Sequence, residues 1–177
     1  HPQFAELHAL AQQIAELSGA KLGFLGEAAN SVGGYLAQAI PQAGGRTAGA
    51  MLTNAPKAMI LLGVEPELDG GNAAQGMAAL HGADLVVALS AYKSQSLLET
   101  ADVLLPIAPF SETSGTFVST EGRVQSFAAA VKPLGEARPA WKVLRVLGNL
   151  LSVAGFDYDS SEQVRAEALG DGNVQLN

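Results

Sequence analysis

The sequence contains no cysteine among its 177 residues. Disulfides, thiolate zinc sites, cysteine-ligated iron–sulfur clusters and cysteine nucleophiles are therefore excluded within this chain. Its three histidines do not have the spacing of metal ligands either. Charged residues make up only 15% of the chain, whereas 48% of its residues are hydrophobic. We therefore expect a globular domain with a buried core and no metal centre of its own.

Basic residues are also few. Ten Lys and Arg against 17 Asp and Glu give a net charge of −7, and the basic residues are scattered, so no nucleic-acid-binding surface is expected. No apolar run approaches the roughly 20 residues that span a bilayer, and no signal segment opens the chain. We expect a soluble, intracellular protein. Because the sequence begins at His1 and enters a helical pattern almost at once, we interpret it as a piece of a longer polypeptide.

The hydrophobic pattern indicates the fold class. Apolar residues at three- and four-residue spacing predict a helix from Gln3 to Ser18, ended by Gly19. Because four later runs are short, continuously apolar and separated by helical segments, they predict a parallel sheet covered on both faces, with right-handed crossovers. We therefore expect a Rossmann-like, three-layer αβα domain of the α/β class. The predicted strands are Lys21–Leu25, Ala58–Leu62, Leu85–Leu89 and Val103–Leu105.

The remaining segments connect or extend this sheet. The longest irregular connection is expected between Gln42 and Pro56. A helix near Pro139 to Val153 follows the last strand, with proline at its start. We assign residues 1–155 to one α/β domain and residues 156–177 to a C-terminal tail that is partly helical. The other predicted helices are Ala73–Leu80, a brief one that ends at Thr100, and Glu162–Leu169.

The segment from Ala101 to Gln125 is the most irregular and polar part of the chain. It follows a strand end, where open α/β sheets bind ligands. Its hydroxyls have no histidine nearby in the sequence and no G-x-S-x-G motif, so a triad hydrolase is disfavoured. Glu112 and Glu121 could act as an acid–base pair. We favour a hairpin in which Arg123 pairs with an acid and holds the turn, so that Arg123→Ala would lower stability.

Two other loops are candidate ligand contacts. Between Gly26 and Gly34, a glycine, small residues and a helix start form either an anion cradle or a tightly packed turn. Asn30 or Ser31 can cap the following helix, which is expected to reach about Ile40. The segment is neither G-x-G-x-x-G nor a Walker A loop. After the second predicted strand, three carboxylates would repel a phosphate: Glu65, Glu67 and Asp69.

Three stretches of the chain carry a family resemblance: LLGVEPELDG, ALSAYKSQSLLETADVLLPIAPFSETSGTFVSTEGRVQSF and RPAWKVLRVLGNLL. They resemble the molybdopterin oxidoreductase superfamily and, within it, the family of the large peripheral-arm subunit of bacterial NADH:quinone oxidoreductase, respiratory complex I. The likeness covers residues 1–158. It implies a protein that passes electrons from NADH toward quinone at the cytoplasmic side of the inner membrane. Its partners would be other peripheral-arm subunits, and iron–sulfur clusters would lie in an N-terminal part outside this chain.

The resemblance also bears on the cofactor. Gly63-Val64-Glu65-Pro66 stands where the superfamily commonly has Gly-x-Asn-Pro, and Ala140 stands where cofactor-binding relatives have Asp before the tryptophan. It therefore implies a scaffold domain without a cofactor. The alternative is a nucleotide-binding domain of an active molybdopterin enzyme that holds a pterin guanine dinucleotide. NAD at a generic Rossmann crevice is disfavoured, because the glycine fingerprint is missing. The positions that match nucleotide-facing loops are vestigial candidates only: Gly26, Asn30, Gly63, Ser90, Ser94 and Glu99.

Overall fold

The computed structural model describes residues 3–26 and 28–170. Helices and strands alternate in its central part, and a single 3-10 turn at Phe110–Glu112 precedes the last two strands. In chain order the elements are α1 Phe4–Ser18, α2 Ser31–Leu36, α3 Ala48–Thr53, β1 Ala58–Leu62, α4 Pro66–Asp69, α5 Ala73–His81, β2 Leu85–Ser90, α6 Gln95–Thr100, β3 Val103–Pro106, β4 Gly115–Val118, β5 Val124–Phe127, α7 Ala140–Leu150 and α8 Ser161–Leu169.

Three parallel strands form the central sheet, in the order β1-β2-β3. Met59 lies opposite Val86 in the first pair, and Val87 lies opposite Val103 in the second. Met59 and Val86 form the core together with Leu80 of α5. The runs of aliphatic residues therefore pair as parallel strands whose crossovers are α4–α5 and α6, and the α/β class is confirmed.

The predicted strand at Lys21–Leu25 is wrong, since this segment has no strand or helix structure. Its side chains are exposed, with Leu22 at 42% and Phe24 at 53% relative accessibility. The Phe24 ring packs edge-on against His8 of α1, with 4.9 Å between ring centroids. An apolar run becomes a strand only where a sheet edge pairs with it. The parallel sheet therefore has three strands instead of four.

The expected burial of both sheet faces is also wrong for β1. Met59 is buried, whereas its neighbour Ile60 is 57% exposed and Leu62 is 45% exposed. Side chains alternate between the two faces of a strand, so one face of β1 is open. No residue of α1 is buried either. Two apolar surfaces thus remain uncovered within the described ranges.

Short helices replace irregular structure at two places. The connection from Gln42 to Pro56, predicted to be irregular, contains α3, whose first turn is capped because the Thr47 hydroxyl accepts from Ala50 N at 3.2 Å. The loop after β1 contains α4, whose Pro66 is buried. Each helix is too short for a period of 3.6 residues to be read from the sequence.

Other predicted boundaries agree with the structure to within a few residues. Gly19 ends α1 in the left-handed conformation, with a φ of 70°. The helix after Asn30 ends earlier than predicted, at Leu36 instead of Ile40. The predicted short helix in the tail is confirmed as α8. Its Ser161 hydroxyl lies 2.7 Å from the hydroxyl of Ser114, the residue before β4. A side-chain hydrogen bond therefore joins α8 to the start of the hairpin.

Asn72 caps α5 and provides a test of local stability. Its Oδ1 accepts a hydrogen bond from Gln75 N at 3.1 Å. We expect Asn72→Ala to lower the free energy of unfolding by about 1 kcal/mol, because a helix N–H loses its acceptor. Urea denaturation followed by circular dichroism measures the loss. Asn72→Ser retains a capping oxygen and should restore most of it, so equal losses in the two variants would contradict the assigned cap.

Candidate functional site at the carboxyl edge of the sheet

The carboxyl ends of the three parallel strands meet at one edge. Gly63 follows β1 with a φ of 61°, and its N–H donates to the Leu89 carbonyl of β2 at 2.8 Å. Ile107 follows β3, and its N–H donates to the Ser90 carbonyl at 3.0 Å. This is the edge at which open α/β sheets bind ligands. The structure therefore places Gly63 and Ser90, two of the candidate residues, at the expected edge.

The hydroxyl groups at this edge are engaged in hydrogen bonds within the chain. Ser90 Oγ accepts from Tyr92 N at 3.1 Å. Ser94 caps α6 by accepting from Leu97 N at 3.3 Å. Ser94 Oγ also lies 2.9 Å from Ser96 Oγ. The Ser96 hydroxyl donates its only proton to Glu67, so Ser94 is the donor between the two serines.

The hydrogen bonds from Ser94 to Ser96 and from Ser96 onward form a relay, which ends on Glu67 of α4. The hydrogen bond from Ser96 is the main cause that lowers the pKa of Glu67 below its usual value; a backbone hydrogen bond and Ser94 also lower it, and burial opposes them. The carboxylate is therefore ionised at neutral pH. Its second oxygen, Oε2, is buried and has no hydrogen-bond partner within the described ranges. The edge thus carries a negative charge, which is unfavourable for a phosphate.

Removing the Ser96 hydroxyl should raise the pKa of Glu67. In Ser96→Ala we expect the pKa to move up toward the ordinary value of 4.5, because the largest cause of the lowered pKa is lost. The pKa of Glu67 is lower in the folded state than in the unfolded state. The stabilisation by the hydrogen bond to the ionised carboxylate is therefore present above about pH 4.5, and it is lost as the pH falls through the folded-state pKa. Carboxyl carbon NMR titration measures the shift. Ser96→Thr keeps the hydroxyl and is the control, and an unchanged pKa in Ser96→Ala would contradict the assignment.

The structure places Asn30 against the hairpin and gives it a structural contact. Its Oδ1 accepts from Val118 N at 2.8 Å, and its Nδ2 donates to the Thr116 carbonyl at 3.4 Å. Asn30 occupies the N-cap position of α2 but makes no capping bond, so the predicted cap is wrong. The side chain joins α2 to β4 instead, because both of its polar groups reach the same strand.

The other two candidates make ordinary contacts. Gly26 lies beside the hairpin turn, where a Cβ would be 3.3 Å from Thr120 Cγ2. Glu99 accepts from Gln95 Nε2 at 2.7 Å on the exposed surface of α6. Of the six candidates, the structure therefore gathers only Gly63, Ser90 and Ser94 around the strand ends and Glu67.

The predicted hairpin is confirmed, but its predicted ionic contacts are wrong. Strands β4 and β5 are antiparallel, with Phe117 opposite Gln125. Within the described residues no ion pair joins Arg123 to an acid, and Glu112 accepts from Leu134 N at 3.0 Å, outside the hairpin. The turn is closed by backbone bonds, such as that from Gly122 N to the Ser119 carbonyl at 2.9 Å. Charge is therefore not needed to hold it.

Arg123→Ala should leave stability almost unchanged, in contrast to the expectation from sequence. Since its side chain is exposed and forms no ion pair within the described residues, we expect a change of no more than about 0.5 kcal/mol in the free energy of unfolding. Gly122→Ala should cost about 1–2 kcal/mol, because Gly122 has a φ of 80°. Thermal denaturation compares them, and a clear loss in Arg123→Ala would restore an ionic role for this residue.

His8 and His81 have structural contacts. His8 packs against Phe24, and His81 Nδ1 lies 2.8 Å from the Met77 carbonyl near the end of α5. In residues 3–26 and 28–170, no three or more acidic or histidine side chains are grouped so that they could hold a metal ion. Helices long and apolar enough to cross a membrane are likewise absent from these ranges.

Ser96 is the residue at this edge that the sequence did not single out. It lies two residues after the capping Ser94, at the start of an apolar helix that follows a strand end. Hydroxyls in the first turn of such a helix face the carboxyl edge of the sheet. The position of Ser96 in this turn could therefore have identified it from the sequence as a residue of the edge. Its bond to a residue 29 positions earlier depends on how α4 and α6 are brought together.

Comparisons with known proteins agree with this architecture. The family model described as molybdopterin oxidoreductase matches residues 1–150. The mitochondrial NADH-ubiquinone oxidoreductase 78 kDa subunit of Candida albicans is 49% identical over 65 residues, 37% of this chain and 9% of that protein. A probable oxidoreductase of Bacillus subtilis is 36% identical over 112 residues, 63% of this chain and 11% of that protein.

A Staphylococcus aureus protein named "Putative formate dehydrogenase" is 48% identical over 59 residues, 33% of this chain and 6% of that protein. Across these three relatives, the matched region spans between 6% and 11% of the relative's own length. The similarity thus concerns one region of much longer proteins.

Proposed function

Because the chain belongs to the molybdopterin oxidoreductase family, we propose that it is a cofactor-free scaffold domain within a larger NADH:quinone oxidoreductase subunit. The observation that carries this proposal is the ionised Glu67 at the carboxyl edge of the sheet. A dinucleotide carries a pyrophosphate, and an ionised carboxylate at this edge would repel it.

The surrounding hydroxyls support the same proposal. The protons of Ser94 and Ser96 are directed along the relay to Glu67. To contact a nucleotide, these serines would have to give up hydrogen bonds that stabilise the start of α6 and its link to α4. A buried or half-buried polar group that loses its partner costs about 1–3 kcal/mol. These hydrogen bonds therefore support a scaffold over a domain that binds an anionic dinucleotide.

The role in electron transfer belongs to the longer protein in this proposal. The Candida albicans relative is named as a subunit of NADH-ubiquinone oxidoreductase. We infer that the parent chain passes electrons from NADH toward quinone through iron–sulfur clusters outside this cysteine-free chain. The open apolar faces of α1 and β1 suit contacts with the rest of that polypeptide and with other peripheral-arm subunits, on the cytoplasmic side of the inner membrane.

A redox assay of the chain tests the scaffold proposal. NADH oxidation with ferricyanide as acceptor is followed by absorbance, with a protein-free blank and an active NADH dehydrogenase as the positive control. We expect no turnover above the blank, because the chain lacks cysteine and so cannot hold a cysteine-ligated iron–sulfur cluster. Protein-dependent turnover would contradict the proposal.

The second candidate is a nucleotide-binding domain of an active molybdopterin enzyme. It is favoured by the similarity to the Bacillus subtilis and Staphylococcus aureus proteins. In that case Gly63, Ser90 and Ser94 would contact the guanine dinucleotide of the pterin, and binding should be tight enough to measure on this chain. The ionised Glu67 argues against this candidate.

A further inference from the structure

A pocket lies away from the sheet edge, between α2, β4, α7 and α8. Its volume is about 250 Å³, roughly eight times the ~30 Å³ that a water molecule occupies in the liquid. Its walls are mostly apolar and include Val118, Val164 and Leu169. A pocket of this size takes a ligand smaller than a typical drug molecule.

Some of the polar groups around this pocket are donors. The indole of Trp141 lines it, and the Trp141 Nε1–H is buried without a hydrogen-bond partner in the described part of the chain. Ser114 and Ser161 also line it, with their hydroxyl oxygens 2.7 Å apart. One of their two protons forms that bond, and the Ser161 hydroxyl also bonds to the Glu162 carboxylate, so these two hydroxyls are engaged within the chain.

The charged residue that lines the pocket is basic. It is Arg165 of α8, and the carboxylate that interacts with it, Glu162, lies outside the lining as described. Arg165 Nη1 donates to Ser126 Oγ of β5 at 3.0 Å, which leaves most of the guanidinium donors for other partners. In a chain with a net charge of −7, such a lining favours an anion over a cation or a neutral molecule.

We propose that this pocket binds a small monocarboxylate with a compact apolar body of about six carbons. The carboxylate accepts from Trp141 Nε1–H, with the charge of Arg165 nearby, and the apolar body contacts Val118, Val164 and Leu169. Buried donors that lack acceptors give such a ligand its affinity and orientation. The proposal is independent of whether the sheet edge binds a nucleotide.

Trp141 also provides the readout, because it is the only tryptophan in the chain. Its fluorescence is followed while cyclohexanecarboxylate is added to the 177-residue chain. We expect a saturable change with a dissociation constant of about 1 mM. Cyclohexylmethanol has the same body without the charge, and it should bind about tenfold more weakly or not at all. The absence of a saturable change with the carboxylate, or equal binding of the alcohol, would overturn the proposal.

Variants separate this site from unspecific binding. Arg165→Gln should weaken carboxylate binding about tenfold, whereas Arg123→Gln removes the same charge from the hairpin turn, away from the pocket lining, and should have no effect. Val164→Phe fills the pocket and keeps every donor, so it should abolish binding even if Arg165→Gln does not fold. Circular dichroism verifies folding. Unchanged binding in a folded Arg165→Gln or Val164→Phe protein would overturn the assignment.

Discussion

Leu97→Ala should lower the free energy of unfolding by about 2–5 kcal/mol. The Leu97 side chain on α6 has no solvent exposure, and its removal both loses buried apolar surface and leaves a cavity in the core. The expected loss is a large part of the stability of an ordinary domain, so the variant should be close to unfolding at 37 °C. Urea denaturation followed by circular dichroism gives the free energy.

Leu98→Ala is the matched control. Leu98 is the next residue of the same helix and is 49% exposed, so the same change of residue should cost less than about 1 kcal/mol. Both variants change leucine to alanine in the same helix, so the change in helix propensity is the same. The difference between their free energies of unfolding therefore measures the effect of burial. Similar losses would contradict the packing of α6 against the sheet.

The second large effect is expected at Gly33, the buried glycine of α2. A Cβ at this position would lie 2.0 Å from Asn30 Oδ1. That oxygen accepts from the N–H of Val118, a residue only 1% exposed. Gly33→Ala must displace the amide and leave a buried donor without its acceptor, so we expect a loss of about 1–3 kcal/mol in the free energy of unfolding.

Gly34→Ala provides a control of opposite sign. A Cβ on Gly34 has no heavy atom within 4 Å, and replacing a glycine inside a helix by alanine stabilises the helix by up to about 1 kcal/mol. Chemical denaturation of both variants should thus give a loss for Gly33→Ala and no loss for Gly34→Ala. Equal effects would show that Asn30 does not join α2 to β4.

The elements that could be predicted from sequence are those whose signal is local. Ala58–Leu62 is a run of five apolar residues bounded by turn residues, and it forms β1 with the predicted boundaries. The amphipathic pattern around Trp141 gives α7, and the glycine at position 19 ends α1. In each case the residues that determine the element lie within it or next to it.

Predictions failed where the deciding partner is distant in the sequence. Lys21–Leu25 has a strand-like composition, but no edge strand pairs with it in the described part of the chain. Asn30 has the residue type and position of a cap, yet its bonds go to Val118, 88 positions away. Arg123 lies two residues from Glu121 in the sequence, and its side chain still forms no ion pair within the described residues. The short separation of these two residues in the sequence therefore did not lead to an ion pair between their side chains.

The candidate site follows the same division. The strand ends at Gly63 and Ser90 could be placed from the sequence, because parallel strands bring their carboxyl ends to one edge. The acidic character of the loop after β1 was also visible from its composition. The bond from Ser96 to Glu67 depends on how two helices pack, and this contact lowers the pKa of the carboxylate at the edge.

Calorimetric titration of the chain with a pterin guanine dinucleotide tests the central claim, that this sheet edge does not hold a cofactor. We predict no heat of binding up to about 1 mM ligand, because the ionised Glu67 and the occupied serines oppose a pyrophosphate. Saturable binding with a dissociation constant of about 1 µM, equivalent to about −8 kcal/mol, would contradict the claim and favour a cofactor-binding domain.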